Sequence, residues 1–115
     1  MSVDSEMLLV LRSSILGDSE PDLGEKLLQL FLSQLLESGD VPARIICLGT
    51  GIFLTTEGSP VLELMKRLAA QGSQILSCVT CLDYYGRRER LLVGEPTHMG
   101  ETVQAMRSFR KVLQP

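Results

Sequence analysis

The stretch Met7-Leu-Leu-Val-Leu11 decides the fold, because an unbroken apolar run of this length predicts a strand that is buried on both faces. Two further runs, Arg44-Ile-Ile-Cys-Leu48 and Gln74-Ile-Leu-Ser77, each follow a segment with apolar residues at helical spacing. Strands that alternate with helices are typical of a parallel sheet with helices on both faces. The sequence therefore predicts an α/β fold, a three-layer α/β/α arrangement around a mostly parallel sheet of four or five strands, with Met7–Leu11 in its centre.

The remaining elements are predicted from spacing and from turn residues. Helices are expected at Asp22–Ser38, from Pro60 to Gly72, from Cys78 to Gly86 and at Glu101–Ser108. Leu91–Val93 is predicted as a fourth strand and Ile52–Thr55 as a short extended piece. The pattern at Lys111–Gln114 fits either an edge strand or a helix tail, and residues 1–6 are expected to be loose.

Composition limits the classes of protein to consider. A chain of 115 residues with 44% hydrophobic and 22% charged residues suits a single globular domain, 1–115. The net charge of −3 disfavours a nucleic-acid partner, since phosphates are met by basic surfaces. No apolar run approaches the length of a membrane helix, so no membrane contact is expected. Three cysteines cannot all pair within one chain, which favours reduced thiols and a cytoplasmic location.

Cys78-x-x-Cys81 is the sharpest chemical signal, because it joins a predicted strand to a predicted helix. The free N–H groups of a helix N-terminus favour a thiolate, and the nearby arginines 87, 88 and 90 could add positive potential. The alternative is that both cysteines only pack a tight turn. Cys78 is expected to be the most reactive thiol and Cys81 the next. Cys47, between Ile46 and Leu48, is expected to be a buried core residue.

The only histidine, His98, raises the question of a metal site. Together with the three cysteines it would make a Cys₃His zinc set, but only the Cys78/Cys81 half has the spacing of such a site, so no metal is predicted. Ligands of parallel sheets bind beyond the carboxyl ends of the strands. That rule indicates the three loops Ser13–Pro21, Gly49–Ser59 and Ser77–Cys81.

Three stretches resemble one known family. They are Leu-Gly-Glu-Lys-Leu-Leu at 23–28, Leu-Thr-Thr-Glu-Gly-Ser at 54–59, and Ile-Leu-Ser-Cys-Val-Thr-Cys-Leu-Asp-Tyr-Tyr-Gly at 75–86. They look like the DsrE/DsrF-like family, and within it most like the C-terminal domain of YedF-like proteins, which are sulfurtransferase-like and associated with selenium metabolism. The resemblance runs from about Leu8 to the C-terminus. The chain departs from the YedF-like pattern at Val79, where that pattern has Gly, and at Gly49 and His98, where it has Asn.

The resemblance implies a fold, an assembly and a chemistry. It implies an α/β/α domain that forms a homotrimer or homohexamer and relays sulfane sulfur as a persulfide on a cysteine, with Cys78 and Cys81 as the catalytic residues and no organic cofactor. The pocket around them would be lined by Gly49, Thr50, Gly51, Thr80, His98 and Met99. Partners would be sulfur donor and acceptor proteins, with a TusA-like protein as one candidate.

Two other functions fit the same residues. Cys78 and Cys81 could cycle between dithiol and disulfide in a redox module. A non-catalytic oligomeric domain could use the same pocket for a small anion. A mass increase by one sulfur atom after exposure to a sulfane donor would favour the sulfur relay over both.

Overall fold

Five parallel strands form one sheet in the computed structural model, which describes residues 2–115. Their order across the sheet is β4-β3-β2-β1-β5, and every neighbouring pair is parallel. The strands are β1 (Val3–Leu11), β2 (Val41–Cys47), β3 (Gln74–Cys78), β4 (Glu95–Thr97) and β5 (Lys111–Leu113). The predicted α/β fold is confirmed. β1 is an inner strand, as expected, although β2 holds the middle position.

Four α-helices cover the two faces of the sheet unequally. They are α1 (Pro21–Glu37), α2 (Leu62–Ala70), α3 (Val79–Tyr84) and α4 (Met99–Ser108), and 3₁₀ helices span Gly49–Leu54 and Arg88–Arg90. Apolar residues of the first three α-helices share one core, while α4 packs into a second core on the opposite face. No helix among residues 2–115 combines the length and the apolar character needed to cross a bilayer.

The apolar run of β1 explains why helices can pack on both faces of the sheet. Leu9 and Leu11 belong to the core under α1 and α2, whereas Leu8 and Val10 belong to the core under α4. Successive side chains of a strand point to opposite faces, so a strand covered on both sides needs apolar residues at every position. This is the arrangement that the continuous run predicted.

The start of the chain is more ordered than its composition suggested. The expectation that residues 1–6 are loose is wrong for residues 3–6, because β1 begins at Val3 and Val3 pairs in register with Val41. An ion pair of 2.8 Å between Asp4 and Lys111 lowers the pKa of the aspartate. Met1 lies outside the described residues.

One predicted strand and one predicted extended piece are wrong. The fourth strand is Glu95–Thr97, not Leu91–Val93, because the chain only comes alongside β3 at Gly94, where a Cβ atom would lie 2.2 Å from the carbonyl oxygen of Ile75. The segment Ile52–Thr55, expected to be extended, lies largely within the first 3₁₀ helix. The open choice at the C-terminal end is settled as a strand, β5, which pairs with β1.

Candidate cysteine site

The three loops singled out by the sheet rule meet at the carboxyl edge of the sheet, as predicted. The backbone N–H of Ser14 in the first loop donates to Thr50 Oγ1 in the second over 3.1 Å. The backbone N–H of Gly49, again in the second loop, donates to Cys81 Sγ over 3.1 Å. Residues 49 and 50 therefore connect the loop after β1 with the cysteines after β3.

The turn at residues 49–51 owes its shape to two glycines. Gly49 has a φ of +60°, a conformation that side chains disfavour. A Cβ atom on Gly51 would lie 2.1 Å from the carbonyl oxygen of Leu11, so only glycine fits against the end of β1. The N–H of Leu48 donates to the same carbonyl over 3.0 Å. This close packing on β1 fixes the direction in which the Gly49 N–H points.

Cys81 is the half-buried thiol of the pair and lies in the first turn of α3. Burial raises its pKa, the hydrogen bond from the Gly49 N–H works in the opposite direction, and the interaction with the neighbouring Cys78 side chain raises the pKa further. The net result is a pKa above the usual value for a thiol. Cys81 is therefore accessible but mostly protonated at neutral pH.

Cys78 lies deeper than the sequence suggested. It is the last residue of β3 and the residue that precedes α3, with a φ of −62° and a ψ of 122°. Its backbone pairs in register with Thr97 of β4, and only 4% of the residue is exposed. The expected order of reactivity, with Cys78 first, thus conflicts with access: the thiol that a reagent can reach is Cys81.

Cys47 is a core residue, as predicted. It is fully buried in β2, on the face that packs against α1 and α2. Burial alone raises the pKa of its thiol to about 12. At neutral pH this side chain is a neutral, apolar filler, and it takes no part in the carboxyl-edge site.

A buried pair of hydroxyls adjoins the cysteine site and was not predicted from the sequence. Thr55 Oγ1 and Ser77 Oγ are 2.7 Å apart, and both residues are fully buried. Thr55 Oγ1 also lies 3.1 Å from the carbonyl oxygen of Ile52, to which it donates. The pair joins the end of the first 3₁₀ helix to the residue before Cys78. The sequence feature that could have indicated this pair is Ser77, a small polar residue at the end of an apolar strand.

The other residues expected in the pocket lie further out. Thr80 and Met99 are exposed, and His98 precedes α4 with its Nε2 3.5 Å from Glu101 Oε1. Thr97, beside Cys78 in the sheet, donates from its hydroxyl to the same carboxylate over 2.8 Å. His98 and Met99 thus follow β4 at the same edge of the sheet as the cysteines, beyond the outer side of β3.

The three cysteines and His98 do not form a metal site. Among residues 2–115, no three His, Cys, Asp or Glu side chains come together as a bound metal ion would require. One reason is that Cys47 points into the core beneath the sheet, whereas the imidazole of His98 is largely in solvent.

Two of the three arginines after α3, Arg87 and Arg88, make contacts away from the cysteines. Arg88 makes a two-pronged contact with Asp83, with distances of 2.9 Å and 2.8 Å. Arg87 donates to the carbonyl oxygen of Glu57 over 2.8 Å and lies over the ring of Phe53 at 4.7 Å. Their contacts hold α3 and its following turn to the rest of the molecule.

A cleft of about 290 Å³ opens beside the first loop at the carboxyl end of β1. Its lining includes Arg12, Ser13, Gly17 and Asp18. The first loop folds back on α1 through a hydrogen bond of 3.0 Å from the Leu16 N–H to the Gly24 carbonyl oxygen. No sequence pattern signals such a bond.

Known structures share this fold. No protein-family model and no curated protein sequence matches the chain. Among solved structures, the protein of unknown function MTH1491 from Methanobacterium thermoautotrophicum has a TM-score of 0.71 at 16% identity, covering 97% of this chain and 100% of that one. The ychN protein from E. coli has a TM-score of 0.67 at 20% identity, with 100% of both chains covered. The conserved protein of unknown function BT1422 from Bacteroides thetaiotaomicron has a TM-score of 0.69 at 18% identity, covering 96% of this chain and 95% of that one. These likenesses establish the architecture.

Proposed function

We propose that the protein carries sulfane sulfur as a persulfide on Cys81, in a sulfur relay of the DsrE/DsrF-like kind and nearest to its YedF-like branch. The observation that carries the proposal is the 3.1 Å hydrogen bond from the Gly49 N–H to Cys81 Sγ. A sulfur that accepts a backbone N–H at an accessible position has a donor in place for the negative charge of the thiolate that attacks a sulfur donor and forms again when the sulfur is passed on.

The packing of the glycine turn supports this role for Gly49. Because Gly51 lies directly against the carbonyl of Leu11, the turn cannot shift without breaking its contact with β1. The donor is therefore fixed before any sulfur arrives, and no reorganisation is needed when charge develops on Cys81.

The raised pKa of Cys81 fits a thiol that is unreactive until it meets a donor. Burial and the nearby Cys78 keep the free thiol protonated, which protects it from unspecific alkylation and oxidation. A persulfide is more acidic than its parent thiol, so the loaded site carries its negative charge on the outer sulfur. The Gly49 N–H stabilises the Cys81 thiolate that is left when this sulfur is passed on. Cys81 would accept sulfur from a donor persulfide and pass it to the thiol of an acceptor.

The relay implies protein partners and a reducing compartment. Donor and acceptor proteins with accessible thiols would meet the half-buried Cys81, and a TusA-like protein is one such partner. A homotrimer or homohexamer, a cytoplasmic location and a link to selenium metabolism follow from the same resemblance and belong to this proposal.

The test is persulfide loading in a matched set of variants. Purified protein is reduced, incubated with inorganic polysulfide, desalted and measured by intact-mass spectrometry under non-reducing conditions. Cys78→Ala should gain the mass of one sulfur atom. Cys81→Ser should gain no sulfur, because no other cysteine is expected to carry it. Cys47→Ala is the control, and it should load as wild type does because Cys47 is fully buried.

Loading that survives in Cys81→Ser would contradict the assignment of the carrier thiol. Absence of any sulfur gain in wild type and in Cys78→Ala would remove the relay as a whole.

A further inference from the structure

We propose that Cys78 is an internal resolving thiol, which attacks the Cys81 persulfide and releases its outer sulfur as hydrosulfide. The inference rests on the proposed function, because it needs a persulfide on Cys81. It assigns to Cys78 a step that a simple carrier does not have, and it makes hydrosulfide a product of the site.

Burial limits what Cys78 can do. Only 4% of the residue is exposed, whereas Cys81 is half-buried and opens to the surface. A thiol on a partner protein can reach Cys81 but not Cys78. The nearest electrophile along the chain would be a sulfur bound to Cys81, three residues after Cys78 and in the first turn of the same helix.

The backbone spacing allows the two sulfurs to join. Cys78 immediately precedes α3 and Cys81 is the third residue of that helix. Helix geometry puts the Cα atoms of such residues about 5 Å apart, which lies within the range of natural disulfides. No large backbone movement is needed.

The burial gradient also sets the direction of attack. Displacement at sulfur proceeds in line, with the nucleophile behind the attacked atom and the leaving group in front. Here the nucleophile would come from the buried side and the leaving sulfur would face solvent. The hydrogen bond from the Gly49 N–H restrains Cys81 Sγ while it is attacked.

The step balances without an added reactant. The Cys78 thiolate forms a bond to Cys81 Sγ, the bond between Cys81 Sγ and the outer sulfur breaks, and its electron pair leaves with that sulfur as hydrosulfide. The outer sulfur is reduced and the two cysteine sulfurs are oxidised to a disulfide. A second turnover requires a dithiol reductant to restore both thiols. An acceptor protein that reaches Cys81 first receives the sulfur instead.

The experiment follows persulfide decay in wild type, Cys78→Ala and Cys78→Ser. Each reduced protein is pulsed with inorganic polysulfide under anaerobic conditions and desalted, and free sulfide and intact mass are then measured over time. Wild type should release one sulfide per loaded chain and end with a Cys78–Cys81 disulfide in peptide mapping. Both variants should retain the persulfide about ten-fold longer, since only solvent nucleophiles remain. Cys47→Ala is the matched control, and it should decay as wild type does.

Two results would overturn the inference, and they differ in what else they affect. Equal persulfide lifetimes in wild type and both Cys78 variants, with no disulfide, would remove the resolving role and leave the carrier intact. Transfer of the extra sulfur onto Cys78, seen by peptide mapping, would also remove it. Failure of every variant to load would remove both proposals together.

Discussion

The hydroxyl oxygens of Thr55 and Ser77 lie 2.7 Å apart in a fully buried position, directly before Cys78 in the chain. Thr55 also donates to the carbonyl oxygen of Ile52, so the Ser77 hydroxyl is left as the donor between the two side chains. This contact fixes the end of β3 to the 3₁₀ helix that begins at Gly49. It therefore helps to fix the position of the Gly49 turn relative to Cys78 and Cys81.

Replacing Ser77 by Ala should weaken both stability and the site. Loss of the buried hydrogen bond should lower the free energy of unfolding by about 1–2 kcal/mol, measured by urea denaturation. The alkylation rate of Cys81 should rise as well, because the 3₁₀ helix is freed from β3.

Ser73→Ala is the matched control for this change. Ser73 is also buried and donates to the carbonyl oxygen of Pro42 over 2.7 Å, but it lies just before β3, at the opposite end of the sheet. It should cost a similar free energy and leave Cys81 alkylation unchanged. An equal effect of both variants on Cys81 would contradict the role given to the Thr55–Ser77 contact.

Gly49→Ala should be more damaging than Gly17→Ala. The two glycines have nearly equal φ values, +60° and +65°, so the backbone penalty of about 1–2 kcal/mol applies to both. A Cβ on residue 49 would lie 3.0 Å from the carbonyl oxygen of Arg12, whereas a Cβ on residue 17 meets no atom within 4 Å. We expect the excess loss in urea denaturation, and a slower persulfide loading, only for Gly49→Ala. Equal behaviour of the two variants would show that the turn tolerates displacement.

Alkylation rates should distinguish the three thiols. Iodoacetamide labelling with site-resolved mass spectrometry should modify Cys81 first, Cys78 more slowly and Cys47 only on unfolding, following their exposure. Because the pKa of Cys81 is raised, its thiolate fraction is small at neutral pH and its labelling rate should still be increasing above pH 9. A rate that levels off below pH 8 would contradict the raised pKa.

Cys47 should make the protein sensitive to alkali. Its folded-state pKa of about 12 exceeds that of an exposed thiol, so between those values the unfolded state binds fewer protons than the folded state. The contribution of the Cys47 thiol to the free energy of unfolding is fully present below the pKa of this thiol in the unfolded state. Above that pKa it falls by about 1.4 kcal/mol per pH unit. In reducing buffer, the stability difference between wild type and Cys47→Ala should therefore shrink between pH 8 and pH 10. A difference that stays constant over this range would contradict the prediction.

The inner strands could be predicted from the sequence, since an unbroken apolar run such as residues 7–11 is what a strand covered on both faces requires. The loops that follow these strands could then be placed at one edge of the sheet. β4 could not, because Glu95-Pro-Thr97 has no apolar pattern and becomes a strand only by lying beside β3. The candidate site likewise has one feature that the sequence predicts and one that only the folded chain shows. The Cys78-x-x-Cys81 spacing located it, but which thiol is exposed depends on the pairing of Cys78 with Thr97, a contact between distant parts of the chain.

The pairing of β5 with β1 has a consequence for the protein's synthesis. Asp4 and Lys111, which pair across these strands, are 107 positions apart. While the ribosome is still making the chain, β1 can acquire β2 as a neighbour but not β5. Its outer edge, over Met7–Leu9, is meanwhile a row of free backbone groups beside leucine side chains, and such edges recruit strands from other chains. Translation that stalls before residue 111 should therefore give aggregates, even though almost the whole core has by then been made.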